Sequence, residues 1–448
     1  MTGSILMLCI SGTCLAVEAL PFHQWAPTPP MGWNSWDCFG TTVTEAQVKA
    51  NADYMAEHLK AHGWQYIVVD IQWYEPNATG YQYRRNAVLV MDQWGRLLPA
   101  PNRFPSAANG SGFKPLAEYV HSKGLKFGIH LMRGIPRQAV RQNTPIKDTP
   151  YHAQDIADPN DRCPWNPDMF GVDMSKPGAQ EYYNSVFDLI ASWEVDFVKV
   201  DDISRPYHRH QQEIEAIRKA IDQTGRAIVL SLSPGETPLT AAEHVKRHAN
   251  MWRISDDFWD RWPAVVEQFG RLARWNPHHG PGYWPDADML PFGVLEMGRR
   301  RSRFTPQEHY TVMTLWCIAR SPLIFGGDMT RMDDFTLSLL TNDEVIAVNQ
   351  HSINNRPLFE ADRLIAWVAD LPGSDERYLA LFNTRDPDQS TQAKAIPMEV
   401  RTAQLGMRGP VLVKDLWSGA EIGTYLDVIT AEVPYHGARL LRIKPIRP

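Results

Sequence analysis

The chain has 448 residues, 44% of them hydrophobic and 21% charged, with a net charge of −6. That length exceeds one ordinary domain and predicts a large domain followed by a smaller one. The mild acidity and the lack of a basic run exclude nucleic acid as an expected partner, and five scattered cysteines make neither a disulfide framework nor a zinc pattern.

Residues 1–19 are a short apolar stretch that ends in small residues at Ala19. This predicts a cleaved signal and export to the periplasm or the medium, although the positive start of such signals is missing; a mis-set start or an unstructured leader is the other reading. No segment reads as a membrane span. Eight apolar runs with strand character follow, at 31–36, 66–73, 126–132, 197–202, 228–233, 251–257, 283–290 and 322–328. Helix-like stretches at 45–62, 113–123, 179–193, 211–224 and 240–247 separate them. Strand and helix in alternation predict parallel strands with helical crossovers, and eight of them an α/β fold closed as a (β/α)8 TIM barrel over residues 27–350. Cys317, inside the apolar run 315–319, is expected to be a buried thiol. The alternation stops near Gln350. Short alternating segments at 364–368, 378–383, 411–417 and 438–443 then predict a C-terminal antiparallel β-sandwich over residues 351–448.

Polar and aromatic residues gather at the C-terminal side of nearly every barrel strand, the face where barrels carry chemistry. Two of these ends stand out. Asp196-Phe197-Val198-Lys199-Val200-Asp201-Asp202 and Trp252-Arg253-Ile254-Ser255-Asp256-Asp257 are apolar runs that stop in paired carboxylates. Two carboxylates on rigid elements are what glycoside hydrolysis needs, one at the anomeric carbon and one to protonate the leaving oxygen. The 16 tryptophans suit sugar faces as well as cores.

Several ordered motifs resemble glycoside hydrolase family 27, the α-galactosidase group. They are Pro29-Pro30-Met31-Gly32-Trp33-Asn34-Ser35-Trp36, the two acid-ended strands, Gly280 through Leu290, Leu315-Trp316 with Ser321-Pro322-Leu323-Ile324, Val348-Asn349-Gln350, and Val433 through Leu441. The resemblance runs from about Pro29 to the C-terminus. It implies a barrel with a C-terminal sandwich, retention of configuration, and no metal or cofactor.

By the resemblance, Asp201 is the nucleophile and Asp257 the general acid/base, Arg253, Lys199 and Asp70 hold sugar hydroxyls, and Trp36 is an aromatic platform. The residues themselves agree in part: Lys199 beside Asp201 favours the ionised form a nucleophile needs. The bland reading of Asp201 is a helix N-cap after the strand, a role that Asp202 fits better. Asp256 competes with Asp257, and either could pair with Arg253. Trp73 and Trp284 read equally as walls of the site or as core, and His130 as a donor to a sugar hydroxyl or a core histidine.

The chain departs from the family at two points. Ile71 stands where many α-galactosidases have a second acid. It cannot accept a hydrogen bond from a hydroxymethyl group and suits L-arabinopyranose, which has the hydroxyl layout of D-galactose without that carbon; ordinary strand packing is the bland alternative. Leu232-Ser233 stands where many members have Cys-Glu or Cys-Gln, and the small Ser233 leaves room at the sugar's 2-position. The expected activity is retaining exo-hydrolysis of terminal α-D-galactosyl residues of oligo- or polysaccharides, with β-L-arabinopyranosidase or a non-catalytic carbohydrate-binding descendant as alternatives.

Overall fold

A computed structural model describes residues 20–387 and 394–446. The expected signal, residues 1–19, lies outside the described residues. Eight parallel strands form one curled sheet: β1 Met31–Asn34, β2 Tyr66–Val69, β3 Lys126–Met132, β4 Phe197–Asp201, β5 Val229–Leu232, β6 Met251–Arg253, β7 Trp284–Asp286 and β8 Leu323–Phe325. They neighbour one another in chain order from β1 to β7, and β8 pairs with β1. Between β7 and β8 the Leu290 N–H donates to the Ile324 carbonyl at 2.7 Å, and this bridge closes the ring. All eight strands lie within the eight apolar runs read from the sequence.

The helices between and after these strands include α1 Glu45–Tyr54, α2 Lys114–Ser122, α3 Ala179–Ser192, α4 Tyr207–Gln223, α5 Trp262–Trp275 and α6 Pro306–Ile318. Helix α1 is shorter than the 45–62 expected, because its last turns loosen into π and 3-10 geometry. Helix α6 is closed at its start by a capping box: Thr305 Oγ1 accepts from the Glu308 N–H, and Glu308 Oε2 accepts from the Thr305 N–H at 2.8 Å. It is buried almost all round, Cys317 included, because it lies between the barrel and the second domain.

The connection from β3 to β4 holds a small three-stranded sheet of Ile135–Pro136, Ala157–Arg162 and Met169–Val172. Its strands are short and Ala157–Arg162 is polar, which is why the sequence reads there as loop.

The C-terminal domain pairs a six-stranded antiparallel sheet with a two-stranded one. Its strands are β9 Ile353–Ala361, β10 Leu364–Asp370, β11 Arg377–Asn383, β12 Ala395–Arg401, β13 Val411–Asp415, β14 Glu421–Tyr425, β15 Val428–Pro434 and β16 Ala438–Pro445, ordered β9-β10-β11-β16-β13-β14 with β12 paired to β15. Ile365, Trp367, Ala369, Tyr378, Ala380 and Phe382 belong to the same core as the barrel. The intervening Ala366, Val368, Leu379 and Leu381 pack instead with Met398, Val400, Ile429 and Val433 of the ribbon. Successive strand residues face opposite ways, so β10 and β11 are apolar throughout residues 365–369 and 378–382 because both of their faces are covered there.

Candidate active site

The alternation of side chains along β4 turns Lys199 and Asp201 to the barrel interior and Val198 and Val200 to the surrounding core. Lys199 Nζ donates to Asp70 Oδ2 at 2.9 Å, at the end of β2. The same oxygen accepts from Asn34 Nδ2 at 2.7 Å, while Asn34 Oδ1 accepts the Trp36 N–H at 2.8 Å and fixes the turn after β1. Asp201 Oδ2 lies 2.8 Å from His130 Nε2, which β3 supplies from the strand position paired with Lys199. Burial opposes ionisation of Asp201. The Lys199 charge, His130 and the Ser233 hydroxyl outweigh it and hold the carboxyl below the usual range. Burial likewise opposes the Lys199 charge, and Asp70 and Asp201 raise its pKa in spite of it.

Beyond β6 the chain turns back over the barrel mouth. Arg253 reaches Asp257 Oδ1 with one terminal nitrogen at 3.3 Å and Asp288 Oδ1 with the other at 2.8 Å. Asp288 Oδ2 also accepts the Phe258 N–H at 2.7 Å, so this one carboxylate fixes both the arginine and the segment that carries Asp257. A Cβ on Gly235 would fall 1.7 Å from the Ser255 carbonyl, so only glycine lets the loop after β5 press against that segment. The Asp257 side chain remains 57% exposed, against 11% for Asp201. The two acids therefore sit in different media, one enclosed beside Lys199 and His130 and one exposed at the mouth. Asp256 turns outward to Arg205 at 2.8 Å.

These residues line a cavity of about 430 Å³. An aromatic row borders it. Trp259 meets Tyr81 at a centroid separation of 6.3 Å, Tyr81 meets Trp36 edge-on at 5.3 Å, Trp36 stacks on Tyr83 at 6.4 Å, and Tyr83 meets Trp165 at 5.6 Å. Asp37 forms another part of the wall; burial first, then Asp288 and Asp257, push its pKa well above the ordinary carboxylate range.

Of the residues expected from the sequence, Trp36, Asp70, Ile71, Lys199, Asp201, Arg253 and Asp257 all line this one cavity. Ile71 borders the cavity, but it is 1% exposed and also packs in the barrel's hydrophobic core, so it serves the wall and the core together. His130 and Ser233 do not line it. His130 is fully buried behind Asp201, so it orients that carboxylate and is not placed to meet a sugar hydroxyl. Ser233 is buried beside Asp201, below the cavity floor, so the 2-position room expected from its small size is not at the surface a sugar would touch.

Trp73 and Trp284 are core residues, with indole N–H groups that donate to the His130 and Ala26 carbonyls, each at 2.8 Å. Asp202 is not an N-cap: its carboxylate pairs with Arg133 at 2.9 Å, and Arg133 also holds Glu213 and Asp161. Sequence reasoning did not single out Asp37, Tyr81, Tyr83, Trp165, Trp259, Asp288 or Met289. Asp37, Asp288 and Met289 follow strand ends already marked as polar, so a signal existed. The four aromatic residues come from long connections with no periodicity.

The barrel sequence matches the family model described as alpha galactosidase A at residues 28–144 and 169–351, and residues 361–443 match the alpha galactosidase C-terminal beta sandwich domain. The chain belongs to glycoside hydrolase family 27. Membership makes it a glycosidase of the α-galactosidase type. The α-galactosidase of Cyamopsis tetragonoloba is 28% identical over 93% of this chain and 86% of its own length. Alpha-galactosidase A of Cellvibrio japonicus is 27% identical over 97% of both chains. Among solved structures of family 27, a β-L-arabinopyranosidase from Geobacillus stearothermophilus is 50% identical, with a TM-score of 0.92 over 96% of this chain and 99% of that one. A second structure of that enzyme, a variant, is a complex with arabinose.

Proposed function

We propose that this chain carries the retaining hydrolysis of α-D-galactosides typical of its family with a preference shifted toward terminal β-L-arabinopyranosyl residues. The observation that carries the preference is Ile71, an apolar side chain in the wall of the sugar cavity beside Asp70. D-Galactose presents a hydroxymethyl group that needs a polar partner, and L-arabinopyranose has only hydrogen at that carbon. The likeness to an arabinopyranosidase at 50% identity, against 28% for the plant α-galactosidase, supports the same reading.

The proposed mechanism is double displacement. Asp201, kept ionised by Lys199 and His130, attacks the anomeric carbon while Asp257 protonates the departing oxygen. Loss of the Asp201 charge in the glycosyl-enzyme lets Asp257 act next as base, and it takes a proton from the water that releases the sugar with retained configuration. Asp257 suits both steps because it faces the open mouth, where leaving group and water exchange. Asp70, Lys199 and Arg253 hold the ring hydroxyls, and the aromatic row covers the sugar's apolar face. Two acids on one cavity favour an enzyme over a carbohydrate-binding descendant. The leader sequence supports export, which N-terminal sequencing of protein recovered from outside the cell tests.

Nitrophenyl glycosides test the preference. The β-L-arabinopyranoside is expected to turn over faster than the α-D-galactoside; the reverse order, by tenfold or more, overturns it.

A further inference from the structure

A second cavity, of about 630 Å³, opens beside the first and shares Tyr83 and Trp165 with it. We propose that it binds the carboxylate of an acidic leaving group, a uronic-acid residue next to the sugar that is cleaved. This rests on the glycosidase reading above and adds the substrate's charge to it. Arg85, Arg137, Arg141 and Arg162 converge on the cavity. Among the described residues none of the four forms an ion pair. Arg137 Nε donates to the Met169 carbonyl at 2.8 Å and Arg162 Nε to the Pro159 carbonyl at 2.5 Å. Both guanidinium groups lie over the Phe170 ring, at 4.9 and 5.4 Å. Two of the four are thus held in place by Nε and ring face, with their terminal nitrogens left for a ligand.

Like charges brought together this way repel. Burial first, then the Arg162 charge, lower the Arg137 pKa, which an anion between them would reverse. The one acid in the lining, Asp168, is already engaged: its Oδ2 accepts from Gln72 Nε2 at 2.5 Å and from the Tyr74 hydroxyl at 3.0 Å.

A second observation also points to an acceptor ligand. Asn166 is 1% exposed and lines the cavity. Its Oδ1 accepts the Asp168 N–H at 2.8 Å, while its Nδ2, which lies beside the Asp168 carboxylate, makes no hydrogen bond of good geometry. A buried amide donor left unpaired is costly, and a ligand oxygen would satisfy it. Guanidinium forks match planar carboxylates. Continuity with the sugar cavity through Tyr83 and Trp165 makes the anion a part of the same substrate. Arg162, Trp165 and Asn166 lie in residues 145–168, which the family model does not match, while Tyr83, Arg85, Arg137 and Arg141 lie inside its match.

Two disaccharides test the proposal: β-L-arabinopyranose linked to glucuronic acid, and the same sugar linked to glucose. Wild type is expected to show about tenfold higher kcat/KM for the acidic one, and the exposed double variant R85Q/R141Q to bring the ratio near one. The neutral disaccharide reports any general damage. Equal kcat/KM in wild type, or a ratio unchanged in the variant, overturns the proposal. Should wild type cleave neither disaccharide nor any nitrophenyl glycoside, the glycosidase reading has failed. Calorimetry with methyl glucuronoside then decides the cavity alone: saturable binding lost in R85Q/R141Q upholds it, and no binding to wild type overturns it.

Discussion

The barrel mouth and the β10–β11 sheet are both buried, and they are built on opposite principles. The mouth buries Asp37, Asp70, Asp201, Arg253 and Asp288, with Lys199 nearly enclosed among them. Removing such charges from water costs several kcal/mol each unless partners compensate. The sheet buries Ala366, Val368, Leu379 and Leu381 on one face and Ile365, Trp367 and Phe382 on the other, with no charge among them. Each such large side chain contributes about 1.5–3 kcal/mol through burial. The comparison teaches a division of labour within one continuous core. The sandwich stabilises, and the mouth keeps a charge arrangement that only binding and chemistry make use of. The two are coupled across the domain boundary, where Trp262 of α5 stacks on His436 at 3.9 Å and Phe269 meets Phe382 at 4.9 Å.

The sharpest test of that division is at the proposed nucleophile. Asp201→Asn should lower kcat on nitrophenyl glycosides by at least about 10³-fold while circular dichroism and the melting temperature change little; turnover near wild type would remove the assigned mechanism. In the sandwich the opposite pattern is expected. Leu441, fully buried, becomes a cavity in Leu441→Ala, which should cost about 2–5 kcal/mol in denaturant unfolding and leave kcat/KM of the folded enzyme unchanged. Ile71→Asp is smaller and acts on specificity: the galactoside-to-arabinopyranoside ratio of kcat/KM should rise by an amount worth about 1–3 kcal/mol, and a fixed ratio would show that Ile71 does not read the sugar.

The smallest effect concerns pH. His130 and Lys199 hold the Asp201 carboxyl below its ordinary range, so in wild type Asp201 stays ionised through mildly acid solution. Replacing His130 by Gln weakens the stabilisation of the charged form, which raises the Asp201 pKa. The acid limb of kcat/KM should then move to higher pH. A limb that stays put would show that the His130 contact does not tune the nucleophile.

Much of this was legible in the chain. The barrel strands could be read because each is an apolar run bounded by polar residues, and the acids could be read because they break those runs at one end. In the sandwich, β10, β11, β13 and β16 were legible for the same reason. Strands β9 and β14 were not, since their residues, such as Asn354, Arg356, Glu421 and Thr424, face solvent at the sheet edges and show no apolar pattern.

Composition, periodicity and strand-end chemistry by themselves determined an eight-stranded barrel, a β-rich C-terminal domain and two strands that end in paired acids, because these depend on residues close in sequence. Tertiary structure alone decided that Ile71 borders the cavity beside Asp201, that His130 contacts Asp201, that Asp202 joins Arg133, and that Tyr81, Tyr83, Trp165 and Trp259 form one wall. Those outcomes depend on which distant connections fold over the same barrel mouth, and local sequence holds no record of that meeting.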